Sequence, residues 1–231
     1  MATGIKGLDK MLNGGLVAGR PYAVIGPPGA GKSLMGWQFL LEGARKGESV
    51  LYITIDEPHY EIRSNMQELG LDHPDIKIMD ISPEDIGKEG SITPLSFFDR
   101  ELPKQIEKHR PLRVVLDSTT SLRSMSDDEV SARRRILSLM RTLSEKEEED
   151  RLQPPITSLL IIEETGERFP SETYLARGVI RLFNTMDGSK RIRGVLVEKM
   201  RGSGFDESVR PLRISDKGLM VGERDSMIYN P

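Results

Sequence analysis

The segment Gly26-Pro27-Pro28-Gly29-Ala30-Gly31-Lys32-Ser33 constrains this chain more than any other. It satisfies the pattern G-x-x-x-x-G-K-[ST] without departure. It lies between an apolar run at Tyr22–Ile25 and an apolar stretch from residue 32 to 46. A strand, a glycine-rich turn and a helix in that order make a phosphate cradle. The glycines let the backbone curl, and its N–H groups point inward at the positive end of the helix. On this reading Lys32 reaches the outer phosphates of a nucleotide and the Ser33 hydroxyl ligates Mg²⁺. Gly26, Pro27, Pro28, Gly29, Ala30, Gly31 and Leu34 complete the binding turn.

A cradle of this kind sits on a parallel sheet, and the rest of the chain supplies one. Short β-branched runs recur at Val50–Ile55, Ile76–Ile81, Arg113–Leu116 and Ser158–Ile162. They show little polar alternation, as strands do when helices cover both faces. Between them lie helical patterns. Pro58 opens one with Ile62, Met66 and Leu69 on a face. Ser126 and Glu129 form a capping box for another, with Val130, Ile136, Leu137, Met140 and Leu143 facing inward. Arg193–Met200 and Leu212–Val221, with a turn near Asp216-Lys217-Gly218, read as strands that finish the sheet. The expectation is an α/β fold: a mainly parallel twisted sheet, helices on both faces, and an antiparallel C-terminal extension. Residues 1–231 read as one domain, a size ample for a full core.

Composition removes several function classes. There is no cysteine, so disulfides, thiolate catalysis and cysteine-based metal centres are excluded, and the three histidines have no metal-ligand spacing. The net charge of −3 argues against a generally basic nucleic-acid coat. The first residues lack a signal-peptide core and no apolar run is long enough to span a bilayer, which predicts a soluble, cytoplasmic protein with no membrane partner. Tyr22, Trp37 and Phe39 read as core rather than as base-stacking platforms. The run Glu145–Arg151 reads as a solvated helix end.

Phosphate chemistry needs acidic groups beside the cradle. Arg113-Val114-Val115-Leu116-Asp117 is an apolar strand ending in a carboxylate placed to support Mg²⁺. Leu51-Tyr52-Ile53-Thr54-Ile55-Asp56-Glu57-Pro58 ends another strand with two carboxylates. At the carboxyl edge of a parallel sheet, such groups can orient or deprotonate a water.

Together these segments resemble the KaiC-like branch of the RecA superfamily of ATPases, from Thr3 to about Val221. Thr3-Gly4-Ile5-Lys6-Gly7-Leu8-Asp9 with Gly14-Gly15-Leu16 is similar to that family's lead-in, Asp56-Glu57-Pro58 to its paired-carboxylate step, and Glu198-Lys199-Met200-Arg201-Gly202-Ser203 to its K-M-R-G element. Arg210-Pro211-Leu212-Arg213-Ile214 and Lys217-Gly218-Leu219 continue the pattern. The resemblance implies a RecA-like core assembled as a homo-oligomeric ring, usually a hexamer, with ATP and Mg²⁺ between subunits. It implies that Lys199 and Arg201 act in trans on a neighbour's γ-phosphate. Because Asp56 is a methylene shorter than the family's usual Glu, the main water-activating role falls to Glu57, with Asp56 as helper. No His follows the K-M-R-G element, and Arg177 stands where relatives commonly carry an acid. Autophosphorylation in a fused relative points to Thr173 and Ser171 as the corresponding hydroxyls.

Two other readings share the core. A recombination ATPase of the RadA type would bind DNA through loops after the strands ending near Leu116 and Ile162. The stretch from Glu163 to Arg177 carries four glutamates against two arginines, which opposes phosphate contacts. Arg133-Arg134-Arg135, and Lys190-Arg191 with Arg193, read as a solvated helix face and a β-turn. A slow nucleotide switch, presenting its ATP state to a signalling or regulatory protein, is the other.

Overall fold

The computed structural model describes residues 1–81, 97–126, 128–144, 155–164 and 170–222. The charge run at 145–151 and loop residues 165–169 lie outside them. A short helix α1 (Lys6–Met11) precedes β1 (Pro21–Gly26), α2 (Lys32–Ala44), β2 (Val50–Thr54), α3 (His59–Glu68) and β3 (Ile76–Asp80). A π-helical turn at Phe97–Glu101 leads into α4 (Leu102–His109), then β4 (Arg113–Asp117), α5 (Thr119–Ser124), α6 (Glu129–Ser144) and β5 (Thr157–Glu163). The last elements are α7 (Ser171–Leu175), β6 (Gly178–Asp187), β7 (Lys190–Met200), β8 (Arg210–Ser215) and β9 (Gly218–Val221).

The sheet runs β3-β2-β4-β5-β1-β6-β7-β8-β9. Its first six strands are parallel and the remainder antiparallel. Register matters for function. Thr54 lies beside Asp117, and Gly26 beside Glu163, so β1, β2, β4 and β5 end along one edge.

Apolar side chains on both faces give two cores. Trp37, Phe39, Leu40, Tyr22 and Tyr52 belong to the one under α2, and Leu102, Ile106, Ile136, Leu139 and Leu143 to the other. The three aromatics expected in the core are fully buried. Their polar ends are satisfied: Trp37 Nε1 donates to the Leu71 carbonyl and the Tyr22 hydroxyl to that of Val17. Among the described residues no helix is long and apolar enough to cross a membrane.

Helix α6 departs from the sequence expectation. Its cap is Asp128, not a Ser126–Glu129 box. Asp128 Oδ1 accepts from the N–H groups of Val130 and Ser131, while the Ser126 hydroxyl turns back to the Leu122 carbonyl. Ala132, Ile136, Leu139, Met140 and Leu143 face inward; Val130 is 61% exposed and Leu137 only half-buried. A carboxylate accepting two N–H groups outcompetes a serine hydroxyl that already has a helical carbonyl within reach. The β6–β7 turn is Gly188-Ser189, so Lys190 and Arg191 belong to a strand rather than to the turn.

Candidate phosphate site at the carboxyl edge

Strand β1 ends at Gly26, and the chain turns before α2 begins at Lys32. Gly29 (φ +72°) and Gly31 (φ +103°) adopt left-handed backbone that side-chain-bearing residues rarely take. Gly31 is also crowded, since a Cβ there would lie 3.1 Å from Leu219. The turn is braced from outside. Asn184 Nδ2 donates to the Pro28 carbonyl (2.9 Å) and Arg193 Nε to that of Gly29 (3.0 Å). Lys32 is 4% exposed. Its Nζ donates to the Pro27 carbonyl (2.9 Å) and lies 2.8 Å from Glu163 Oε1. Ser33 is exposed at the mouth, whereas the Leu34 side chain packs into the core.

The carboxylates converge from neighbouring strand ends. The Tyr52 hydroxyl donates to Asp117 Oδ2 at 2.5 Å, and the Ser33 hydroxyl lies close enough to the same carboxylate to lower its pKa. Burial pushes the Asp117 carboxyl up, opposed by Ser33 and Tyr52. Burial also drives the Tyr52 phenol well above its ordinary value, with the Asp117 charge adding to it. Glu57 is half-buried, and its carboxyl is raised by burial first and then by the Asp117 and Glu61 charges. Asn65 Nδ2 donates to Glu57 Oε1 (3.0 Å), and the Thr54 hydroxyl pins the Glu57 carbonyl (2.6 Å). Asp56 points elsewhere. It accepts from Ser118 Oγ (3.0 Å) and Ser121 Oγ (2.6 Å) at the start of α5. Both acids interact with Asp117, since the Asp117 charge raises Glu57 and the Asp56 charge raises Asp117; Glu57 is the one oriented by a neutral amide rather than tied to α5.

The donor set suits a hard divalent cation shared with phosphate. Among the described residues no cluster of three or more His, Asp or Glu is spaced to hold a metal alone. Ser33 and Asp117, whose side chains interact at the strand ends, offer two oxygen ligands, and Mg²⁺ ordinarily takes the remainder from phosphate and water.

Lys199 and Arg201 are not at this edge. Strand β7 runs antiparallel to β6, so Lys199 lies level with Val179 and, across β6, with Ala23. That is roughly 10 Å short of Gly26 along the strand direction. The Arg201 N–H bonds the Arg177 carbonyl, at the level of Pro21, about 17 Å short. Lys199 Nζ donates to the carbonyls of Thr173 (2.9 Å) and Tyr174 (3.1 Å) at the end of α7. Burial, then the Arg201 charge, lowers its ammonium below the usual range. Arg201 is exposed and makes no side-chain hydrogen bond or ion pair among the described residues. Nearby Thr173 is buried, with its hydroxyl donating to the Pro170 carbonyl at 2.7 Å. Ser171 opens α7, and its side chain lies outside the described residues.

Glu163, Asn184 and Arg193 reach the cradle although the sequence did not mark them as parts of it. Glu163 was readable only as one acid of a loop, and Arg193 only as part of a basic cluster. Their significance depends on register between strands far apart in sequence.

Comparison with known proteins gives a consistent picture. The profile of the family described as "ATPase: KaiC" matches residues 1–226. A UPF0273 protein of Pyrococcus furiosus is 30% identical over 238 residues, covering 95% of this chain and 92% of that protein. The circadian clock oscillator protein KaiC of Parathermosynechococcus lividus is 29% identical over 232 residues. There the match covers 95% of this chain but 41% of the clock protein, so the chain spans about two fifths of its length. The crystal structure of a KaiC-like protein from Pyrococcus horikoshii superposes with a TM-score of 0.79 at 25% identity, covering 96% of this chain and 98% of that one.

Proposed function

This chain belongs to the KaiC ATPase family, and from that premise we propose that it hydrolyses ATP at sites completed by a second copy of itself. The observation that carries the reading is the separation of charges within one protomer. The cradle lysine and the carboxylates share the carboxyl edge, while Lys199 and Arg201 lie roughly 10 Å and 17 Å behind it along the strands. Cations so placed cannot serve their own cradle but can serve a neighbour's. A head-to-tail interface that repeats this contact closes into a ring, with a hexamer as the expected form. The whole of residues 1–231 works as one unit in that ring.

Within the site the roles follow from chemistry. The cradle N–H groups and Lys32 hold the phosphates. Ser33 and Asp117 would hold Mg²⁺, which when bound neutralises charge on the phosphate oxygens. Glu57 orients the attacking water and accepts its proton as the oxygen bonds to the γ-phosphorus and the bond to the ADP oxygen breaks. Its raised pKa brings it nearer the operating pH, as a general base requires. Asp56, committed to α5, supports the strand end. Lys199 and Arg201 of one copy stabilise charge on the phosphoryl oxygens held by the next. Such a device couples assembly to nucleotide state, which suits a cytoplasmic signalling or regulatory role.

The test is the Mg²⁺-dependent ATPase rate per subunit against protein concentration, with Lys32→Ala as the blank. The proposal expects the rate to climb with concentration and saturate alongside the ring mass. A full rate from protein shown by mass to be monomeric would rule it out.

A further inference from the structure

Strand β5 sends alternate side chains to opposite faces of the sheet. Leu159 and Ile161 pack under α2, and Leu160 and Ile162 into the other core. Glu163 continues the first series, so its carboxylate emerges on the α2 side, beside Gly26 in register. Its N–H is anchored by the Thr120 hydroxyl at 2.8 Å. One carboxylate oxygen takes the Lys32 ammonium at 2.8 Å; the other is buried with no hydrogen-bond partner.

That arrangement is poor as a purely structural ion pair. Contrast Arg113, which is 1% exposed. Its guanidinium meets both oxygens of Glu48 and the carbonyls of Ala2 and Phe39. A buried pair held for stability satisfies its remaining polar atoms, because leaving one unmade is costly. Glu163 leaves an oxygen unpaired while pressing a negative charge onto the lysine that phosphate needs.

We propose that Glu163 is a positioning residue that competes with the terminal phosphate of ATP for Lys32, and so sets the site's preference between ATP and ADP. The inference rests on the ATP-site reading above. A γ-phosphate drawn to Lys32 brings its charge against a carboxylate whose backbone is fixed; ADP lacks that phosphate and presents only its β-phosphate to Lys32. Like charges a few ångströms apart in a partly buried site repel strongly. Glu163 therefore weakens ATP more than ADP, and ATP must displace it from Lys32.

The experiment is calorimetric titration of the intact protein with MgADP and with the magnesium complex of the β,γ-imido analogue of ATP. Wild type, Glu163→Gln and Glu163→Asp are compared. Gln keeps an oxygen acceptor for Lys32 without the charge. It is expected to raise affinity for the analogue relative to ADP on the order of tenfold. Asp keeps the charge and should hold the ratio near wild type. A purely structural role would change both affinities together, so an unchanged ratio in Glu163→Gln overturns the proposal while leaving the ATP site standing. Failure of the wild type to bind either nucleotide overturns both.

Discussion

The two edges of the sheet carry charge in opposite ways. At the amino edge of β4, Arg113 is buried, paired to Glu48, bonded to two carbonyls and stacked on Phe39 with its guanidinium carbon 4.8 Å from the ring centre. Four residues on, at the carboxyl edge, Asp117 is half-buried near Glu57, and both carboxyls are raised by burial. Charges that only hold a fold together are neutralised where they sit. The carboxylates Asp56, Glu57 and Asp117 at the carboxyl edge are left in mutual conflict, which is the expected condition of groups awaiting a polyanion and its metal.

Lys199 and Arg201 sharpen the contrast. They lie toward the amino edge but are not built into it as Arg113 is. Lys199 rests on two carbonyls at the end of a short helix, and Arg201 stands exposed. The largest effect therefore belongs to Arg201→Ala. If it acts on a neighbour's phosphate, kcat should fall about a thousandfold or more, with nucleotide affinity largely retained. A loss confined to nucleotide affinity would put Arg201 among ordinary binding charges.

Arg113→Ala should instead act on stability. It leaves Glu48 and two carbonyls without their partner, and urea unfolding should show a loss of about 3–5 kcal/mol. Little change would mean that the amino edge is not the satisfied region described above.

The smallest effect has the opposite sign. A folded-state pKa raised above its unfolded value contributes stability at low pH that is lost as pH rises through the folded value. At neutral pH the ionised Asp117 therefore opposes folding. Asp117→Asn, which still accepts from the Tyr52 hydroxyl, should raise Tm by roughly 2 °C or more near neutrality. The gain should shrink as pH falls below the ordinary carboxylate range, and turnover should be lost. A lower Tm at neutral pH would show that Asp117 is held as a satisfied structural acid.

Much of this contrast could be read from residue order. The cradle, α2, five of the six parallel strands and the carboxylates at Asp56, Glu57 and Asp117 all follow from local pattern: β-branched runs, glycine spacing and strand-end acids; β6 (Gly178–Asp187) is not among them. What could not be read depended on relations across the sheet. Glu163 meets Lys32 because β5 happens to neighbour β1. Arg193 braces Gly29 through an antiparallel hairpin, not through any local motif. The start of α6 escaped for a subtler reason. Ser126 and Asp128 are both competent caps, and which one wins depends on the packing of the preceding α5 turn, where Ser126 already bonds Leu122. Thr173, singled out by the resemblance as a corresponding hydroxyl, is buried, and its hydroxyl donates to the Pro170 carbonyl.

The central claim is that one protomer's cradle is completed by another protomer's K-M-R-G strand. The most direct measurement mixes two inactive proteins, Lys32→Ala and Arg201→Ala, after dissociating and reassembling them together. Each interface needs an intact cradle from one copy and an intact arginine from its neighbour, so random equal mixing should restore about a quarter of the wild-type ATPase rate. A mixture no faster than the two proteins measured separately would contradict the claim, and Lys32 and Arg201 would have to act within one chain or in different reactions.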